Sequence, residues 1–174
     1  MSKNKLKSFN WKAFFIGVVA VVLVLVITGS MASVISHLGF KKLNEDNLYT
    51  SDCLTLKDKT DGDLKINVKR NGSIVLDGKS GDDDETYEIG TIDLEAGVYT
   101  LTANEDASLD TCYVTLTANQ TEYKFDFEDG NTITLSADAD DCVITLHVKG
   151  DVEFDNFELL PVIVEGDKSG DFYA

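Results

Sequence analysis

The stretch "DTCYVTLTANQTEYKFDFEDGNTITLSADADDCVITLHV", residues 110–148, decides the fold. Apolar and polar residues alternate through it with a period of two, in short runs rich in Val, Ile, Thr, Tyr and Phe, the pattern of half-buried strands. "NQT", "EDGN" and "ADADD" break the runs with turn-forming residues. The stretch also contains an echo. "DTCYVTL" (110–116) and "DDCVITL" (140–146) share their spacing, and each follows a "TLTA" or "TLSA" that ends at Ala103 or Ala137. Asp110–Cys112 and Asp140–Cys142 could mark a metal site, a disulfide, or one hairpin built twice.

Strand direction separates these readings. If successive strands alternate, the strand starting at Cys112 and the one starting at Cys142 run oppositely, which puts the two cysteines at opposite ends. Six residues of strand span about 20 Å, whereas a disulfide needs Cα atoms within about 7 Å. The same distance keeps Asp110 from sharing a metal with Asp140. The expectation is repeated hairpin chemistry, with Cys112, Val114 and Leu116 on one face, Cys142, Ile144 and Leu146 on another, and both thiols small and buried. A crossover that broke the alternation would reopen the bridge. Cys53 makes the cysteine count odd, which argues against a disulfide framework.

Outward from this stretch, "DLKINVK", "YEIGTIDL", "VYTLTA" and "VEFDNFEL" continue the alternation. About nine short strands with a single proline describe an all-β antiparallel sandwich over residues 62–166, large enough for one core without disulfides or metal. Residues 37–61 are less regular and read as a stalk or linker with a first edge segment, and residues 167–174 as a flexible tail.

Charge is unevenly distributed. Lys3, Lys5, Lys7 and Lys12 precede any acid, whereas all 31 acids lie at or beyond Glu45, against 11 basic residues from Lys41 onward, giving a body of 11 − 31 = −20. Such a body repels nucleic acid and anionic lipid headgroups and favours solubility, cations or neutral ligands, so no nucleic-acid partner is expected. Between the basic segment 1–12 and the acidic body, residues 13–36 carry no charge. As a helix they would rise about 36 Å, enough to cross a hydrocarbon core of about 30 Å. The lysines in front stay cytoplasmic under the positive-inside bias, so the body is extracytoplasmic. A retained single-pass transmembrane signal anchor is favoured over a signal peptide cut after Ala32, because uncharged residues continue to Phe40.

"NGSIVLDGKSGDDDETYEIGTIDLEAGVYTLTA" supplies a family resemblance. Asn71, Gly72, Ser73 and Ile74, with Leu76 and Gly78, then Leu94, Ala96, Gly97, Tyr99, Thr100 and Leu101, resemble the opening of jelly-roll modules of the carbohydrate-binding-module or galactose-binding-like type, found on bacterial surface and phage structural proteins. "VEFDNFELLPVIVEG" is similar to their closing strand, with Pro161 expected to end it because proline cannot donate to a ladder. The resemblance covers residues 62–166. It implies a jelly roll that binds a glycan, with a structural calcium common in such modules.

Sugar binding requires a platform of aromatic rings. Trp11 precedes the apolar segment, and Tyr123, Phe125 and Phe127 share one strand face that suits a core. Tyr87, Tyr99 and Tyr113 remain as ligand-binding candidates, with at least two expected to be buried. Asp82, Asp83 and Asp84 are the first place to look for calcium, although no acidic run here has the spaced loop of a specific site. Only His147 could approach a body cysteine, since His37 adjoins the apolar segment. No nucleophile–base order, histidine cluster or phosphate loop is present, so a non-enzyme is expected. The two functional expectations are an anchored module for a surface glycan and a structural or assembly module that contacts a surface protein.

Overall fold

The computed structural model describes residues 46–104, 111–126 and 130–168. The basic segment 1–12, the apolar segment 13–36, residues 37–45 of the expected stalk, the tail from 169, Asp110 and Phe127 lie outside the described residues. Among the described residues, no helix is long and apolar enough to cross a membrane.

The described chain forms eleven strands: β1 (Lys59–Asp61), β2 (Leu64–Val68), β3 (Ile74–Lys79), β4 (Glu85–Leu94), β5 (Gly97–Ala103), β6 (Cys112–Ala118), β7 (Thr121–Lys124), β8 (Asn131–Leu135), β9 (Ala139–Val148), β10 (Glu153–Leu159) and β11 (Pro161–Glu165). Three antiparallel sheets result, ordered β1-β2-β3-β10, β11-β5-β8 and β4-β9-β6-β7. Residues from all three meet in one core that includes Leu64, Leu76, Ile89, Leu101, Leu116, Ile144 and Leu159. The alternation read from sequence is the alternation of burial: in β9, Cys142, Ile144, Leu146 and Val148 are buried, whereas Val143, Thr145 and His147 between them are only half-buried. The result is the antiparallel, sandwich-like β-domain that the pattern predicts.

Two of the eleven strands exceed the expected nine. One is β1, which comes from the stretch read as linker. The other arises at Pro161, which opens β11 instead of ending the last strand, and only Leu160 separates β10 from β11. A proline costs no ladder bond at the first position of a strand, and here its carbonyl accepts a hydrogen bond from Asn47 Nδ2 at 2.9 Å. The closing strand thus passes from one sheet to the next, pairing first with β3 and then with β5.

The echoed segments are a sheet-to-sheet arch built twice, where the sequence suggested a hairpin. β5 leads into β6 and β8 into β9, and each step leaves β11-β5-β8 for β4-β9-β6-β7. The copies then pair with each other, antiparallel, in both sheets. Equivalent residues meet directly at Thr115–Thr145 and at Tyr99–Ile133, so a local two-fold relates β4–β5–β6 to β7–β8–β9. Antiparallel pairing of like segments lets both copies turn the same face inward.

The expected stalk region also contributes to the core. Tyr49 is 1% exposed. Asn47 accepts from Ile163 N at 2.8 Å, Leu48 N donates to Ile163 O at 2.8 Å, and Thr55 N reaches Ile89 O of β4 at 3.2 Å. The chain therefore enters beside β11, plugs the core with Tyr49, and crosses to the opposite sheet before β1 begins.

Candidate functional site

The three candidate tyrosines do not form a platform. Tyr87 and Tyr99 face inward from β4 and β5, with 5% and 6% exposure. Their hydroxyls reach the rim: Tyr87 donates toward Glu85 and Asp61, and Tyr99 donates to Glu95 O at 2.9 Å. Burial raises the pKa of both phenols, and the carboxylates of Glu85 and Asp61 add to the effect at Tyr87.

Tyr113 lies on the outer face of β4-β9-β6-β7. Its register partner His147 stacks on the ring, with centroids 4.3 Å apart and planes 4° from parallel. β7 flanks β6 on the opposite side and places Lys124 Nζ 4.2 Å from the same ring centroid. Both faces of Tyr113 are therefore occupied, one by imidazole and one by ammonium. His147 Nε2 lies 3.0 Å from Thr115 Oγ1. Burial lowers the histidine pKa, opposed by Glu122 and assisted by Lys124 and Lys149, so the ring is neutral at pH 7 and stacks without charge repulsion from the lysines.

Asp82, Asp83 and Asp84 serve a turn. Asp84 Oδ2 accepts from Lys149 Nζ at 2.7 Å, and its Oδ1 accepts from Gly150 N at 3.0 Å. These two donors hold its carboxyl below the ordinary carboxylate range. Gly150 itself fits only as glycine, since a Cβ there would lie 2.4 Å from Asp82 O. Among the described residues, no three His, Cys, Asp or Glu side chains converge to hold a metal ion.

The cysteines are free. Cys112 pairs with Val148 at one end of β9, and Cys142 lies six residues away along the same strand, about 20 Å. Both thiols point into the core while His147 points out, so strand alternation rules out a Cys–His pair. Burial pushes Cys112 up to about 11 and raises Cys142 as well, which leaves almost no thiolate at neutral pH. A thiol reagent is accordingly expected to modify Cys53 first in the native protein, and Cys112 and Cys142 only on unfolding. Native-rate labelling of either buried thiol, followed by mass spectrometry, would contradict this placement.

One feature is absent from the sequence-derived candidates. An open cleft of about 420 Å³ lies between the strap at residues 54–58 and the end of β2. Its floor is Leu54, Leu56 and Val68, and its rim carries Lys57, Lys69 and Arg70, with Asp58 turned to accept from Val68 N at 2.8 Å. The signal was available: residues 57–70 hold five basic residues against three acids, a net +2 within a strongly acidic body.

Fold and site together define a small antiparallel β-domain in which Tyr87 and Tyr99 are buried and Tyr113 is covered by His147 and Lys124. No family model, curated protein or solved structure matches the chain.

Proposed function

We propose that this chain is a membrane-anchored, extracytoplasmic β-sandwich module of jelly-roll type, without enzymatic activity, that works by contacting a protein partner at the cell surface. Anchor and orientation rest on the uncharged segment 13–36 behind a lysine-rich start. The observation that favours a protein partner over a glycan is the state of the three tyrosines. A pyranose needs an open ring face to stack on, whereas Tyr87 and Tyr99 are buried and Tyr113 is covered by His147 and Lys124. What the outer face of β4-β9-β6-β7 offers is a polar surface around that stack, with Thr86, Glu88, Thr117, Thr145 and Glu122 on the same side by register. Such a surface suits side-by-side contact with another protein.

A photo-crosslinking amino acid placed at Thr117 in the full chain tests the reading, with a second placed at Asn67 on the remote β2 as control. The expected result is one discrete protein adduct from Thr117 in native membranes, none from Asn67, and an empty glycan array. Glycan binding without an adduct would overturn it in favour of a sugar-binding module.

A further inference from the structure

We infer that the cleft between residues 54–58 and the end of β2 is a docking site for anionic lipid headgroups of the chain's own membrane, an inference that rests on the anchor in the proposed function. Three observations lead to it. The first is charge. Five of the nine basic residues in the described body, Lys57, Lys59, Lys65, Lys69 and Arg70, lie within residues 57–70. Lys69 pairs with Glu158 at 2.6 Å, Lys59 with Asp61 at 2.8 Å and Lys65 with Asp77 at 3.5 Å, whereas Lys57 and Arg70 have no ion pair among the described residues. The cleft thus presents two uncommitted cations over a floor of half-buried Leu54, Leu56 and Val68.

The second observation is position. The turn bearing Lys69 and Arg70 adjoins the point where the chain enters the domain: a Cβ at Gly72 would lie 3.5 Å from the Tyr49 ring, and Gly72 N donates to Lys69 O. The ten steps from Ser36 to Asp46 reach at most about 35 Å. An anchored domain therefore keeps its entry point, and the turn beside it, within reach of the bilayer.

The third is the physics of a tethered anion. A free body of charge −20 would simply leave an anionic surface, but a tethered one cannot, so repulsion acts as a torque. It turns the acidic faces outward and the edge that carries the uncommitted Lys57 and Arg70 toward the lipid. Each basic side chain that reaches the headgroup layer then changes the orientational equilibrium by about fivefold. An apolar floor behind the cations accommodates the glycerol end of a headgroup, which a purely charged patch would not.

The test reconstitutes the full chain into vesicles of phosphatidylcholine alone or mixed equally with phosphatidylglycerol. Flotation reports the anchor, and a membrane-impermeant amine reagent, read lysine by lysine, reports docking. Co-flotation with both vesicle types is expected. Lys57 labelling should fall about fivefold in the anionic vesicles, with Lys79 and Lys149 unchanged, and should recover in high salt and in Arg70→Glu. Equal labelling of Lys57 in both vesicle types overturns docking while leaving the anchor in place. Protection that is already complete in neutral vesicles also overturns it, because an acidic protein surface then fills the cleft. Failure to float removes the anchor, and the docking inference with it.

Discussion

Replacing Tyr49 with alanine is expected to cost about 3–5 kcal/mol of folding free energy, the range for deleting a buried large aromatic ring, whereas Tyr49→Phe should cost nothing. The ring is 1% exposed and packs between two glycines, Gly72 and Gly90, where added Cβ atoms would lie 3.5 Å and 2.9 Å from it. Removing it opens a cavity on the line joining β4 to the β2–β3 turn, where two of its neighbours are glycines that have no side chain to fill it. The hydroxyl is different. Among the described residues it is buried without a hydrogen-bond partner, and burial raises its pKa strongly. Phenylalanine keeps the packing and removes an unsatisfied polar atom, a change worth about 1 kcal/mol in favour of the fold. Urea melts of both variants separate the cases. Equal destabilisation by Phe and Ala would mean that the hydroxyl is bonded. A loss below about 1 kcal/mol for Ala would mean that residues 46–56 merely lie on the domain and do not belong to it. The outcome also bears on the anchor, because in an anchored chain any pull is delivered at this plug and at the Asn47 and Leu48 bonds to β11.

Tyr49 shows where sequence reading stops. A period of two announces a strand without its partner, so β2, β4, β6 and β9 were legible as strands from their own residues. The burial of Cys112 and Cys142 followed from the same alternation. Tyr49 stands in "NEDNLYTSDC", where no period exists, and only the packed structure reveals it as core. The echo of "CYVTL" and "CVITL" was visible, but whether like segments form a hairpin or two arches depends on which sheet receives each strand, and local residues do not specify that. The Tyr113–His147 stack likewise exists only through the β6–β9 register, since the two residues are 34 positions apart. Pro161 departs from the expectation because a proline ends a ladder in general, whereas at the first position of β11 it loses nothing. The cleft was missed for a different reason: its cations are interleaved with Asp58, Asp61 and Asp63, and only the fold separates the uncommitted pair from the rest.

The glycine that closes the "NGSIVLDG" motif carries the second large effect. Gly78 has φ +97°, a conformation that a side chain resists, and a Cβ there would lie 2.2 Å from Asp63 O. Two costs combine in Gly78→Ala. Backbone strain contributes about 1–3 kcal/mol. Forcing the Asp63–Leu64 backbone aside contributes about 1–3 kcal/mol more, because that backbone begins β2 and delivers the fully buried Leu64 and Ile66 to the core. Gly62 provides the control. Its φ is also positive, +58°, but nothing lies within 4 Å of its added Cβ, so Gly62→Ala pays strain alone and should lose about 1 kcal/mol. Thermal or urea unfolding of the two variants should differ by several kcal/mol, with Gly78→Ala also lowering the cooperativity of the transition as β1 and β2 detach from β3. Equal losses at the two sites would mean that the close approach of Asp63 to β3 is absent. The motif would then mark only a turn, and the cleft at the end of β2 would have lost the contact that fixes β2 to the sandwich.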